Sequence, residues 1–345
     1  VRVVAEYGQT NRGSVATAIA QAKAAAAAGC WGAKWQLLRP ETLASPAAEA
    51  YWAHARPGES QRDTFDSNGM IDYGAWKEVR EECDRLGLVF VATPFDLEAV
   101  DELADIGTGY LKVASGDITY HDLLARIRET DAKVILSTGA SYLREVDQAL
   151  EWLDPRPTTI LACALVYPCP PEEARLGRIE LLRAEYDDVG IGYSDHTVAV
   201  STGAMAAIVG AEILEKHATL DRAGGTPDDE MGLTPGDLDV YVRAAEEGER
   251  MRGKGFGPSD AEEPARVGAR RSWHAAVPLA VGDVIMPWDL AALRPCPEDA
   301  VPVSVDITGY RVTSDILPGS PVRPSEIAPD TAPSPSKGLG GSPRG

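Results

Sequence analysis

Two lysines stand inside otherwise apolar runs, Lys34 in Gly32–Leu37 and Lys112 in Tyr110–Ala114. An ammonium group in such surroundings needs an acid or a bound anion beside it. Similar runs end in polar residues throughout the first two thirds of the chain. Glu6, Gln36, Thr93, Ser115, Thr138 and Tyr167 stand at or just after run ends, as do Ser194, Asp195, His196, Lys216 and His217. A single buried lysine could be a structural accident paired with an acid. Two lysines converging with several hydroxyls suit a phosphorylated or carboxylated ligand.

His196 and His217 follow adjacent runs, so their imidazoles could meet. Two such rings can hold a divalent transition metal, with water or substrate oxygens completing its shell. Alternatively each is an ordinary hydrogen-bonded polar residue. His54, His121 and His274 fall on an insertion, a helix start and a later segment, where surface or structural roles are expected. Glu6 could act as a base or could pair with a barrel lysine. The acidic run Asp228–Glu230 reads as a loop, either simply solvated or binding sugar hydroxyls.

These residues need a scaffold that brings run ends together. Up to about residue 245 the chain repeats one rhythm, a short β-rich apolar run followed by a helical stretch. The runs are Val3–Glu6, Gly32–Leu37, Val89–Thr93, Tyr110–Ala114, Lys133–Ser137, Thr158–Ala162, Val189–Tyr193 and Glu212–Lys216. Eight β–α units in order predict a closed (β/α)8 barrel, whose chemistry gathers at the C-terminal strand ends. A doubly wound open sheet is the alternative, but no Gly-rich GxGxxG follows a strand. Residues 40–72 form a long polar insertion, read as a functional or mobile loop.

Residues 246–265 read as a polar linker. Residues 266–327 are short strand-like pieces broken by Gly and Pro, which predict a small β-rich domain. From residue 328 to the end Pro and Gly dominate, the composition of a disordered tail. The 345 residues are thus divided into a barrel at 1–245, a linker, a small domain and a tail.

The net charge of −20 argues against nucleic acid and against an anionic membrane surface. The five cysteines form no CxxC pair, which fits free thiols in a reducing compartment. The sequence shows no signal peptide and no apolar run long enough to span a bilayer, so a cytoplasmic location is expected.

Motifs at the run ends carry a resemblance. AEYG, GAKWQ, ATPFD, YLKVASGDI, VILSTGA, the Tyr167–Pro168 pair, GIGYSDHT, EKHATLD, TPDDE, ARRS and LRP occur in this order. Together they resemble the sialic acid synthase family, which includes N-acetylneuraminate, legionaminate and pseudaminate synthases and spore-coat relatives. GDVI and DILPGSPV in the small domain resemble the antifreeze-like (SAF) domain of those enzymes.

The resemblance implies a metal-dependent condensation of phosphoenolpyruvate (PEP) with an open-chain aldose, giving a 2-keto-3-deoxy sugar acid and phosphate. It implies that Thr93, Lys112, Ser115, Tyr167 and Ser194 hold PEP. It implies that His196 and His217 bind manganese or magnesium. Glu6, Lys34, Gln36, Asp117 and Asp228 would face the sugar, and Arg294 would join them from the partner chain of a domain-swapped homodimer. Glu6, Lys112, His196 and His217 are the implied catalytic set.

Several positions depart from the family pattern. Thr10-Asn11 replaces Asn-His, Asp117 replaces a glutamate, and Thr226-Pro227-Asp228-Asp229 replaces Gly-Pro-Asp-His. The usual His-Cys-Thr-Ser/Asn reads Ala162-Cys163-Ala164-Leu165, so Leu165 stands where a polar PEP contact is expected. Losing such a contact costs about 1–3 kcal/mol. These changes point to a non-standard sugar, in natural-product or glycan biosynthesis. Two other classes remain open: a barrel lyase or aldolase forming a Schiff base on Lys34 or Lys112, and an altered paralogue that only binds sugar.

Overall fold

A computed structural model describes residues 1–52, 55, 58–253 and 255–330. The described chain divides into two units that part after Gly253. His54 and the expected tail from 331 onward lie outside the described residues.

In the first unit eight parallel strands close in sequence order, each bonded to the next and the eighth to the first. They are β1 (Arg2–Glu6), β2 (Gly32–Leu37), β3 (Val89–Pro94), β4 (Tyr110–Val113), β5 (Lys133–Ser137), β6 (Thr158–Cys163), β7 (Gly190–Asp195) and β8 (Ile213–His217). The helices are α1 (Val15–Ala27), α2 (Pro40–Leu43), α3 (Gln61–Ser67), α4 (Trp76–Leu86), α5 (Leu97–Asp105), α6 (His121–Arg128), α7 (Leu143–Leu153), α8 (Gly177–Glu185), α9 (Thr202–Val209), α10 (Pro227–Met231) and α11 (Pro235–Arg252). The expected barrel is the observed fold.

Local chemistry sets the helix ends. Ser14 caps α1 by accepting from the Thr17 amide, and Asp96 caps α5 by accepting from the Ala99 amide at 2.8 Å. Gly87 ends α4 with φ 72°, a conformation only glycine adopts without strain.

The inside of the barrel follows the two-residue period of a strand. Val4, Val91, Ile135, Leu161 and Ile213 form one buried apolar layer. The residues two positions later are Glu6, Thr93, Ser137, Cys163 and Glu215, all of which line a cavity above that layer. Gly192 belongs to the same tier as the apolar layer. A Cβ there would lie 2.3 Å from the Ile213 carbonyl oxygen, so the tier has no room for another side chain. Outward-facing strand residues meet the helices. Among them Trp35, fully buried, stacks between Tyr7 and Phe90 at ring distances of 6.0 and 5.5 Å.

Three expectations change. The 40–72 insertion contains α2, α3 and a bridge between Glu49 and Ser60, so it is partly ordered by local helix caps such as Ser60. The acidic 228–230 run belongs to α10, begun by Thr226 as cap and Pro227 at its first turn. The span read as linker opens as helix: α11 continues to Arg252 because Leu238, Tyr241, Val242, Ala245 and Gly248 bury one face of it.

The second unit contains α12 (Glu263–Ala269) and four short strands, β9 (Ser272–Ala275), β10 (Leu290–Leu293), β11 (Tyr310–Val312) and β12 (Ile327–Pro329). Strand β9 pairs antiparallel with β10, and β11 with β12. Ile285, Val301, Ile307, Val312, Ile316 and Val322 are among the residues of its small core. The β-rich expectation agrees with this, and β12 carries ordered chain past residue 327.

Candidate active site

The C-terminal strand ends surround a cavity of about 960 Å³. Its floor is charged. Lys34 Nζ lies 3.0 Å from Glu6 Oε2, 3.4 Å from Glu215 Oε1 and 3.2 Å from Thr93 Oγ1. Gln36 Nε2 donates to Glu6 Oε1 at 3.0 Å, and Ser194 Oγ donates to Glu215 Oε1 at 3.1 Å. Glu6 therefore does pair with a barrel lysine, one of the two roles open to it from the sequence.

Lys112 Nζ donates to its neighbouring Val113 carbonyl at 2.9 Å and makes no salt bridge among the described residues. Burial pushes this amine down to about 8, although the nearby Glu215 carboxylate works against the fall. Burial would raise the Glu215 carboxyl, but Lys112 and Lys34 outweigh it and hold the group below the usual carboxylate range. For Glu6 burial wins, and its carboxyl is raised despite Lys34.

Ser115 Oγ accepts from the Gly139 amide at 3.0 Å. Ser137 Oγ is buried in the cavity wall without a hydrogen-bond partner. Thr138 falls outside this set: its hydroxyl donates to the Leu161 carbonyl at 3.0 Å. Asp195 and Lys216 also leave it. They have the opposite strand parity to Ser194 and His217, point away from the cavity and pair with each other at 3.0 Å.

The imidazoles of His196 and His217 do meet, with ring centroids 5.4 Å apart. The Tyr167 ring packs 4.1 Å from His196 and 5.9 Å from His217. His196 Nδ1 is 2.7 Å from the Ala164 carbonyl oxygen, which makes Nδ1 the donor and leaves the lone pair on Nε2. His217 Nδ1 lies 3.3 Å from Asp228 Oδ1 yet is buried without a hydrogen bond. Burial lowers the His217 imidazole, but Asp228 and Glu6 outweigh it and hold the ring above its ordinary value.

A pair of rings in which His196 Nε2 has only a 3.5 Å contact with Ser194 Oγ and His217 Nδ1 is buried without a hydrogen bond fits a divalent ion. Among the described residues no group of three or more His, Cys, Asp or Glu converges as a metal cluster, so water or substrate oxygens would complete the shell.

Asp228 reaches this pair because residue 8 is glycine. A Cβ on Gly8 would lie 2.1 Å from Asp228 Oδ2, and Gly8 has φ +50°. Asp117 sits on the short turn after β4 with Oδ2 buried and unpartnered. Burial raises its carboxyl to about 6, against the opposing Lys112 charge. The rim adds Tyr51, Trp52 and Phe65 from the insertion, in ring contact at 5.6 and 6.1 Å. Leu165 lines the cavity, as expected. Arg294 belongs to the second unit, just past β10. His121 is exposed beside Asp122, and His274 is buried in the second unit.

Sequence reading missed Glu215, Ser137, Cys163 and the aromatic rim. The first three were available from strand parity, since each lies two residues from an inward neighbour. The rim had no such signal, because it depends on how the insertion folds back.

Residues 21–256 match the NeuB family model. The chain belongs to the NeuB family. An uncharacterised Methanocaldococcus jannaschii protein is 30% identical over 297 residues, 85% of this chain and 84% of that protein. The N,N'-diacetyllegionaminic acid synthase of Campylobacter jejuni is 28% identical over 301 residues, covering 85% and 90%. A solved structure, a putative spore coat polysaccharide biosynthesis protein E from Chromobacterium violaceum, superposes with TM-score 0.79 at 24% identity over 95% of this chain and 99% of that one. That likeness shows a shared fold over nearly the full length. Membership in NeuB bears out the sialic acid synthase resemblance, and the chain is an enzyme of that type. Among the described residues no helix is long and apolar enough to cross a membrane.

Proposed function

We propose that this NeuB enzyme joins the methylene carbon of PEP to the aldehyde carbon of an open-chain aldose, giving a 2-keto-3-deoxy sugar acid and inorganic phosphate. The observation that carries the reading is the meeting, in one cavity, of a lysine and hydroxyl floor with two imidazoles and an acidic rim. Lys112, Ser115, Ser137, Ser194 and Thr93, which line the cavity, would hold phosphate and carboxylate oxygens. Tyr167 packs over the imidazoles and walls the PEP side.

His196 and His217 would hold a divalent ion, manganese or magnesium. When bound, such an ion supplies Lewis-acid polarisation of a carbonyl oxygen. The protein's own groups do the rest. Lys34 and Gln36 fix the Glu6 carboxylate, which orients the aldose or takes a proton from the attacking water. The PEP double bond supplies the electron pair of the new C–C bond. Water adds to the cationic carbon left behind, and phosphate departs by C–O cleavage, leaving the keto group. Asp117 and Asp228 accept hydrogen bonds from sugar hydroxyls.

Leu165, Asp117 and the acidic α10 all lie on the rim or at one PEP contact, so the sugar is a non-standard aldose of glycan or natural-product biosynthesis. The free cysteines support a reducing, cytoplasmic setting. The second unit would act as an antifreeze-like domain, bringing Arg294 to the partner's cavity in a swapped dimer.

One observation favours a second reading. An amine held at about 8 is a competent nucleophile, so Lys112 could form a Schiff base. Incubation with PEP and a panel of aldoses, followed by product mass, separates the two. A product equal to the aldose plus a three-carbon keto acid supports condensation. A borohydride-trapped lysine adduct in its place supports the Schiff-base reading.

A further inference from the structure

Asp195 and Lys216 are fully buried on the outer side of the strand layer and are unused by the proposed chemistry. They are register partners across β7 and β8. Each is the chain neighbour of a cavity imidazole, Asp195 of His196 and Lys216 of His217. Strand alternation turns the ion pair outward and both rings inward.

All three N–H groups of the Lys216 ammonium can be used here. Lys216 Nζ donates to Asp195 Oδ2 at 3.0 Å, to the Thr197 carbonyl, and to the Ala199 carbonyl at 3.5 Å. Asp195 Oδ1 accepts from the Thr197 amide at 2.9 Å, and Tyr241 of α11 donates to Asp195 Oδ2 at 3.2 Å. Helix α9 closes over this cluster through Gly203, where a Cβ would lie 2.8 Å from the Tyr241 ring. The backbone on both sides of His196 is therefore tied to the residue preceding His217.

A pair this deeply buried adds little net stability, because desolvation offsets its attraction. It does fix direction. We infer that the Asp195–Lys216 pair is a positioning device that holds the His196 and His217 rings at one separation, and so sets the affinity of that ring pair for a divalent cation. The inference rests on the metal reading above.

The test is calorimetric titration of the full chain with manganous ion, paired with titration by inorganic phosphate. The wild type, His217→Ala, and a double variant with Asp195→Asn and Lys216→Met are compared. The double change removes both charges and strands neither. Its manganese affinity should fall by about tenfold to a hundredfold, with phosphate affinity held within about twofold, since Lys112 and the floor hydroxyls are not touched. Manganese affinity equal to wild type in the folded double variant overturns the positioning role and leaves the metal reading standing. Wild-type binding that is absent, or that survives His217→Ala, overturns the metal reading and the inference with it. Should the double variant fail to fold, Tyr241→Phe carries the test, because it removes only the hydroxyl on Asp195. A fall of about twofold to fivefold is then expected, and an unchanged affinity overturns the role.

Discussion

Glu215 Oε1 lies 3.4 Å from Lys34 Nζ and accepts from Ser194 Oγ at 3.1 Å, so a carboxylate sits inside the cluster that is to hold an anion. Its charge adds to that of Glu6 in offsetting the desolvation of Lys34, and is the main carboxylate acting on Lys112. Glu215→Gln should therefore destabilise the barrel by about 3 kcal/mol, measured by urea unfolding. A loss below about 0.5 kcal/mol would mean that Glu6 alone balances the floor.

Lys112 predicts a pH dependence. Its amine, pushed down to about 8, is charged below that pH and neutral above it. Phosphate affinity should be level below pH 8 and then weaken by up to about tenfold per unit as the pH rises further. Stability runs the other way. The folded value lies below the unfolded one, so between about 8 and 10.5 the unfolded chain binds more protons and stability rises with pH. Lys112→Met should flatten both profiles. Phosphate affinity that holds to pH 10 would contradict this account of the floor.

The chemistry was more legible in the sequence than the packing. Polar residues closing successive apolar runs gave the barrel and most of the cavity, because a strand's C-terminal end and its inward parity are both countable. Counting ends without parity does not separate Thr138, Asp195 and Lys216, which face backbone or helices, from the cavity residues, and it overlooks Glu215 and Ser137, which face inward. The rim of Tyr51, Trp52 and Phe65 was illegible because local propensity says nothing about where an insertion lands. The 246–252 span read as linker for a related reason. Its composition is polar, and Gly248 alone within it continues the buried face that Leu238, Tyr241, Val242 and Ala245 begin.

Asp117 should govern the sugar rather than PEP. Its carboxyl, raised by burial to about 6, loses its proton over the range in which kcat/KM for the aldose should rise. Asp117→Asn should raise the aldose KM by about tenfold, leave the PEP KM within about twofold, and remove the inflection near pH 6. Steady-state kinetics from pH 5 to 8 would check this, and an unmoved inflection would assign it to another group.

Leu165 puts an apolar wall beside the PEP floor. Leu165→Asn offers a donor to a charged oxygen and should lower the PEP KM by about threefold to tenfold, with the aldose KM unchanged. A raised PEP KM would mean that the leucine packs against substrate rather than replacing a lost contact.

The central claim is the condensation itself, and it is tested most directly by counting products. PEP and an aldose panel are incubated with the full chain and manganese, and phosphate and 2-keto sugar acid are measured in the same samples. The account predicts both in a one-to-one ratio, only when an accepted aldose is present, and neither with His217→Ala. Phosphate without keto acid, or no product with any aldose despite bound PEP, would contradict it.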